Sequence, residues 1–131
     1  MNSRLWIAAA GIVILLFGLA GLLAPQRVLG VLGLATLNAS TAAATLGEVR
    51  ATYGGLFTVM GAYALFAAVN PGARRESILL LGLLWLGAAA GRAFGVSVDG
   101  NPGVFGWLSL GVEVVIGGVL VLAAGNASAA S

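Results

Sequence analysis

The sequence predicts an all-α fold: an integral membrane bundle of four antiparallel helices, formed by residues 1–131 as a single domain. Of the residues, 60% are apolar and only 8% are charged, whereas an average soluble domain carries about 25% charged residues. The apolar residues are concentrated in four long runs. Since backbone groups in lipid must be hydrogen-bonded within their own segment, runs of this length indicate helices and not the shorter, alternating strands of a barrel.

The first predicted span covers residues 5–24, which contain no charged residue. About 20 residues at about 1.5 Å each cross the roughly 30 Å of hydrocarbon. Arg4 in front of this run would also suit a cleaved signal peptide. However, the run exceeds the about 7–15 apolar residues of such peptides, and Pro25 is an unfavourable cleavage context. We therefore expect a retained helix.

Residues 25–40 are too short and too interrupted to span the membrane. Their middle part, 28–34, is nevertheless apolar. Two interpretations remain open: an interfacial or shallow re-entrant helix that begins at Pro25, or an apolar loop packed against the bundle.

The second span, 47–69, is predicted to belong to a longer helix that begins near Ser40 or Thr41, because residues 38–41 supply N-cap side chains. It ends at 70–72, an Asn-Pro-Gly sequence that stops helices.

The third and fourth spans are predicted at 77–94 and 104–124. A second Asn-Pro-Gly sequence, at 101–103, separates them. The small polar tail, 126–131, is expected to fray.

The distribution of arginines predicts the orientation. Three arginines lie on the side of both chain ends: Arg4, Arg74 and Arg75. On the opposite side we count only Arg27, because Arg50 and Arg92 lie within helices and have acidic residues available as partners. Arginine-rich loops stay in the cytoplasm. We therefore predict a multi-pass protein of the bacterial inner membrane with both termini in the cytoplasm.

Composition also excludes several kinds of chemistry. The chain contains no cysteine, histidine or lysine, which removes disulfides, thiol nucleophiles, histidine metal sites and lysine Schiff bases. We therefore predict no metal and no cofactor. The pI near 10 reflects six basic residues against four acidic ones. Because these arginines are scattered and not clustered, nucleic acid is not an expected partner.

Charged residues inside the helices point to a candidate site. Glu113 lies about 15 Å into its helix, too deep to reach water, so it needs a partner or a cavity. Arg92 on the neighbouring helix is the predicted partner, although its side chain could also extend to Asp99 or to the membrane surface.

Glu48 and Arg50 enter the second helix from the same side as this pair. They are two residues apart and point about 200° from each other, so each needs a partner elsewhere. The formal charges of these two residues, Arg92 and Glu113 sum to zero, which favours one buried network. The predicted polar cluster consists of Glu48, Arg50, Tyr53, Arg92, Asp99 and Glu113.

The 21 glycines exceed what turns require, and small residues let helices in membranes approach closely. Gly87 and Gly91 form a GxxxG pair, while Ser109, Glu113 and Gly117 share a face of the fourth helix. The predicted helix-packing glycines are Gly54, Gly55, Gly87, Gly91 and Gly117. From the sequence, these faces either pack inside the bundle or dock another protein.

The chain carries an EVRATYGG string at 48–55, a Gly-Arg pair at 91–92, an Asp-Gly turn at 99–100 and the isolated Glu113. This pattern extends over nearly the whole chain and resembles a family of small bacterial four-helix membrane proteins described only as a domain of unknown function. The resemblance implies four spans and a shared polar cluster, but no reaction. The chain is also distantly similar in fold to DoxX-type four-helix membrane proteins.

Three classes of function fit the sequence. The first is a non-enzymatic accessory or interaction subunit of a larger bacterial membrane assembly, such as an envelope lipid transporter. Its partners would be membrane lipids and other membrane subunits, or a further copy in a homo-oligomer. The second is a small carrier that binds a lipid or another amphiphile and holds its head group in the polar cluster. The third is an intramembrane enzyme or proton-coupled step that uses Glu113. The small size and short loops favour the first, and the lack of a recognisable nucleophile, metal site or phosphate loop disfavours the third.

Overall fold

The computed structural model describes residues 2–34 and 42–128, and these residues form helices and no strands. The elements in chain order are α1 (Ser3–Leu23), α2 (Pro25–Val31), α3 (Ala42–Val49), a π-helical segment (Arg50–Leu56), α4 (Phe57–Val69), α5 (Arg75–Asp99) and α6 (Gly103–Ser128). The helix is continuous from α3 through the π-helical segment to the end of α4.

Four helical stretches are long and apolar enough to cross a membrane. They are Ser3–Leu23, Thr45–Val69, Arg75–Asp99 and Gly103–Asn126. The predicted all-α membrane fold is thereby confirmed, and the chain is a multi-pass membrane protein.

The third span is longer than its apolar run. α5 extends to Asp99, where the sequence predicted an end at residue 94, because its polar last turn is stabilised locally. The Ser97 hydroxyl donates to the Phe94 carbonyl at 2.6 Å, and Gly100, with a φ of 94°, donates its backbone N–H to the Val96 carbonyl.

The ends of the other predicted elements differ as well. α6 is helical as far as Ser128, beyond the predicted end at residue 124, and the fraying expected from residue 126 stays a prediction. The predicted N-cap at 38–41 lies outside the described residues, as do 129–131.

The segment after α1 forms a short helix and not a loop. Pro25, Val28 and Leu29 of α2 are buried, and Val28 and Leu29 pack in one cluster with Val49 at the end of α3. The helical interpretation of this segment is therefore correct for Pro25–Val31, and its depth in the membrane stays a prediction.

The helices pack as two pairs. α1 lies along the π-helical segment and α4, and α5 lies along α6, which also contacts α1; α4 and α5 touch only slightly. Fully buried side chains such as Ile7, Ile78 and Ala123 lie near the end of the bundle that carries both termini. The core is thus well filled at this end. We call the opposite end, where α5 ends and α6 begins, the distal end.

Glycines bring the paired helices into close contact. A Cβ atom at Gly21 would lie 2.6 Å from the Tyr53 carbonyl oxygen, and one at Gly54 would lie 2.9 Å from the Leu22 side chain. Between α5 and α6, a Cβ at Gly117 would lie 2.7 Å from Leu86. Gly54 and Gly117 therefore occupy the packing positions that the sequence predicted.

The other three predicted packing glycines do not pack against a neighbouring helix. Gly87 and Gly91 are exposed, and a Cβ atom added at either would meet no neighbour within 4 Å; the nearest atom to one at Gly55 belongs to its own helix. On α5 the buried residues include Trp85 and Ala89. Since Gly87 is two residues from each, it points about 200° away from them, toward the outside of the bundle.

Candidate binding site

The centre of the candidate site is an ion pair between α5 and α6. Arg92 Nη2 donates to Glu113 Oε1 at 2.6 Å, and Arg92 Nε donates to Oε2 and Oε1 at 3.0 and 3.2 Å. The Glu113 side chain is 10% exposed, whereas the Arg92 side chain is 29% exposed. The structure thus pairs the two residues that the charge pattern predicted as partners, and Glu113 faces the interior.

The other charged members of the predicted polar cluster do not join this pair. Glu48 and Asp99 are exposed, and neither forms an ion pair with any described residue. Arg50 is exposed too, and its Nε donates to the Leu22 carbonyl at 3.4 Å. The predicted network of four helix charges is therefore wrong.

The position of Arg50 has a clear physical reason. The last carbonyl groups of a helix have no donor within the helix, and a cation near this end is favoured by the helix dipole. Leu22 lies in the last turn of α1. Arg50 therefore interacts with the end of α1, and it forms no ion pair with Glu113.

Tyr53 belongs to a row of aromatic side chains beside the ion pair. Phe57 lies at its centre, with ring centroids 5.7 Å from Tyr53, 5.9 Å from Phe17 and 5.0 Å from Trp85. Tyr53 lies in the π-helical segment, and such irregular helical turns are frequent at functional sites.

Two cavities of about 340 and 500 Å³ meet at this row. The first lies between α1 and α6, beside α2, and the second lies between the second span and α5. Five residues line both cavities: Tyr53, Phe57, Trp85, Arg92 and Glu113. Both volumes fall in the usual range of ligand sites, and the ion pair lies in the wall that the two cavities share.

The walls of these cavities are apolar and reach the outer surface of the bundle. Val112 and Leu108 line the first cavity and Leu84 lines the second, yet each of these side chains is about half exposed or more. In a membrane, both cavities would open sideways to the hydrocarbon chains of the lipids.

Comparison with known proteins places the chain in a family. A family model described as "Domain of unknown function (DUF4345)" matches residues 3–124, which include the first three spans, nearly all of the fourth, and the ion pair. The chain belongs to the DUF4345 family. No curated protein and no solved structure matches it significantly. The resemblance to a family of unknown function, predicted from the EVRATYGG pattern, is confirmed.

Sequence reasoning missed part of this DUF4345 site. Phe57 follows Tyr53 by four residues, and Trp85 precedes Arg92 by seven, so helical spacing alone could have placed each beside its predicted neighbour. Ser109, one turn before Glu113, lines the first cavity. Phe17 has no polar residue near it in sequence, and only the packing of α1 brings it here.

Proposed function

We propose that this DUF4345 protein binds a membrane amphiphile in the two cavities around Arg92 and Glu113. The observation that carries the proposal is the unused hydrogen-bonding capacity of Arg92. A guanidinium group has five N–H donors, and Glu113 engages only Nε and Nη2. No described residue accepts a hydrogen bond from Nη1.

The Arg92 side chain is 29% exposed and lines both cavities, so a bound molecule can reach its free donors. In a membrane these donors would otherwise face apolar chains, which is unfavourable. Trp85 lies in the wall of both cavities beside Arg92. Its indole N–H is buried without a partner among the described residues. A ligand with hydrogen-bond acceptors at one end would bind the donors of Arg92 that Glu113 leaves free.

The apolar walls suit the remainder of an amphiphile. Side chains such as Phe17, Val112 and Ile116 in the first cavity and Met60 and Leu84 in the second offer no partner to a polar ligand. A molecule that already lies in the membrane could enter sideways without crossing water.

Mass spectrometry of the protein purified in mild detergent tests this proposal. We expect an amphiphile in stoichiometric amount, lost when the cavities are filled by Val112→Phe or Ala88→Phe. Each variant has a matched control on the same helix. Val114 is 49% exposed beside 48% for Val112, and Ala90 is exposed like Ala88, but Val114 and Ala90 line neither cavity. Equal loss in the matched controls, or no amphiphile in the wild type, would contradict the proposal.

A second candidate function is that of an accessory subunit in a larger bacterial membrane assembly, such as an envelope lipid transporter. The exposed face around Gly87 and Gly91 favours it, because a Cβ atom added at either glycine would meet no neighbouring atom of the described residues within 4 Å. Gly87→Leu should then abolish co-purification of a partner while the monomer stays folded. Retention of the partner by this variant would show that the partner does not bind this face.

A further inference from the structure

The charges around the two cavities cancel. Of the described residues that line the cavities, only Arg92 and Glu113 are charged, and they form one ion pair. The other polar side chains on the walls are neutral: Tyr53 and Trp85 in both cavities, Ser109 in the first and Thr52 in the second. The site therefore offers hydrogen-bond donors without a net positive charge.

Resting on the proposed amphiphile site, we infer that the ligand carries an uncharged polar group, such as an ester, ketone or hydroxyl, and that Glu113 determines this specificity by excluding anionic head groups. The free N–H groups of Arg92 belong to the same small planar guanidinium group that holds the Glu113 carboxylate. A ligand acceptor bound to them would therefore lie close to this carboxylate. A neutral acceptor gains the hydrogen bonds and leaves the ion pair intact.

An anionic group in the same place would be repelled by the Glu113 carboxylate. The attraction of Arg92 is already used by Glu113, so a phosphate would add an uncompensated negative charge next to a carboxylate in surroundings of low polarity. Like charges at such a distance repel strongly there, because the dielectric screening is weak. Since each 1.4 kcal/mol corresponds to a tenfold change in affinity, we expect a preference of about tenfold or more for the neutral ligand.

Diacylglycerol and phosphatidic acid with identical acyl chains are a suitable pair of probes, because they differ only in the phosphate. With dibrominated chains, each would quench the fluorescence of Trp85 when bound. Trp6 and Trp107 are about half exposed on the outside, so a Trp6→Phe, Trp107→Phe background leaves Trp85 as the reporter. Val112→Phe should reduce the quenching, and Val114→Phe should not.

In this background, diacylglycerol should quench Trp85 at a concentration about tenfold lower than phosphatidic acid. Glu113→Gln should remove the preference by strengthening the binding of phosphatidic acid, since Arg92 then attracts the phosphate unopposed. If this variant does not fold, the inference is tested by the preference of the wild-type protein and by the charge of the co-purified amphiphile.

The outcomes separate this inference from the proposed function. Equal or stronger binding of phosphatidic acid, or an anionic amphiphile co-purified with the wild type, overturns the specificity of Glu113 and leaves the amphiphile site standing. A neutral co-purified amphiphile supports both, even if diacylglycerol itself binds weakly. Absence of any bound amphiphile, together with no quenching by either probe, overturns both.

Discussion

Arg92 and Glu113 are buried to different extents, and this difference governs what each substitution should do. Glu113 has little exposed surface, whereas almost a third of the Arg92 side chain is exposed. The carboxylate therefore depends on its partner more than the guanidinium does. A charged group left alone in the interior costs far more than one that can reach a cavity or a ligand.

For these single residues, we predict that Arg92→Ala lowers the stability of the protein more than Glu113→Gln does. Arg92→Ala strands a buried carboxylate and should lower the free energy of unfolding by about 3 kcal/mol or more. Glu113→Gln keeps an acceptor for the guanidinium and should cost less, about 1–2 kcal/mol. Equilibrium unfolding in mixed micelles measures both, with the exposed Asp99→Asn as a neutral control. A larger loss for Glu113→Gln would contradict the asymmetry.

At the scale of elements, α1 and the second span are held together by close backbone contacts at glycines, and this contact positions Tyr53 beside the cavities. Gly21 lies against the carbonyl group of Tyr53, and Gly54 lies against Leu22. Arg50 then binds the Leu22 carbonyl at the end of α1. These three contacts fix the π-helical segment against the end of α1.

Two Gly→Ala substitutions should therefore change stability in opposite directions. Gly21→Ala places a methyl group against the Tyr53 backbone, which cannot move aside cheaply, and should destabilise the protein by about 1–3 kcal/mol. Gly87→Ala adds the same methyl group in open space within a helix and should be neutral or stabilising by up to about 1 kcal/mol. Unfolding in mixed micelles measures both, and destabilisation by Gly87→Ala would show that this face is packed.

Arg50→Ala should act locally. Loss of the interaction with the Leu22 carbonyl should cost about 0.3–1 kcal/mol and speed hydrogen exchange in the last turn of α1. Amphiphile binding should remain, because Arg50 lines neither cavity. Hydrogen exchange and native mass spectrometry test the two parts separately. Loss of the bound amphiphile would return Arg50 to the polar cluster.

The sequence predicted the helices and the Arg92–Glu113 pair because both follow from local constraints. A long apolar run can satisfy its backbone only as a helix, and a deep carboxylate needs a partner. The roles of Arg50 and Gly87 could not be predicted in the same way. Each depends on how far a helix is rotated toward its neighbours, and the GxxxG spacing is the same on an inner and an outer face.

At the scale of the whole molecule, the two ends of the bundle differ in packing and in charge. The end with both termini has the filled core and carries Arg74, which lies 3.9 Å above the Phe66 ring, and Arg75 at the start of α5. The distal end has the cavities, and Arg50 there is bound to the end of α1. If the arginine-rich end lies in the cytoplasm, the amphiphile would be taken from the leaflet that faces away from the cytoplasm.

Reporter fusions test this orientation and with it the leaflet from which the site is reached. A fluorescent protein that matures only in the cytoplasm should be active when fused at residue 72 or at the C terminus. A phosphatase active only outside the cytoplasm should work when inserted in the turn at 100–102. This result follows from four spans, which return the chain to its starting side, and from the bias of Arg4, Arg74 and Arg75 toward that side. Opposite signals at residue 72 and the C terminus would reject the four-span topology. A uniform reversal of all three would keep the bundle and move the cavities to the cytoplasmic leaflet.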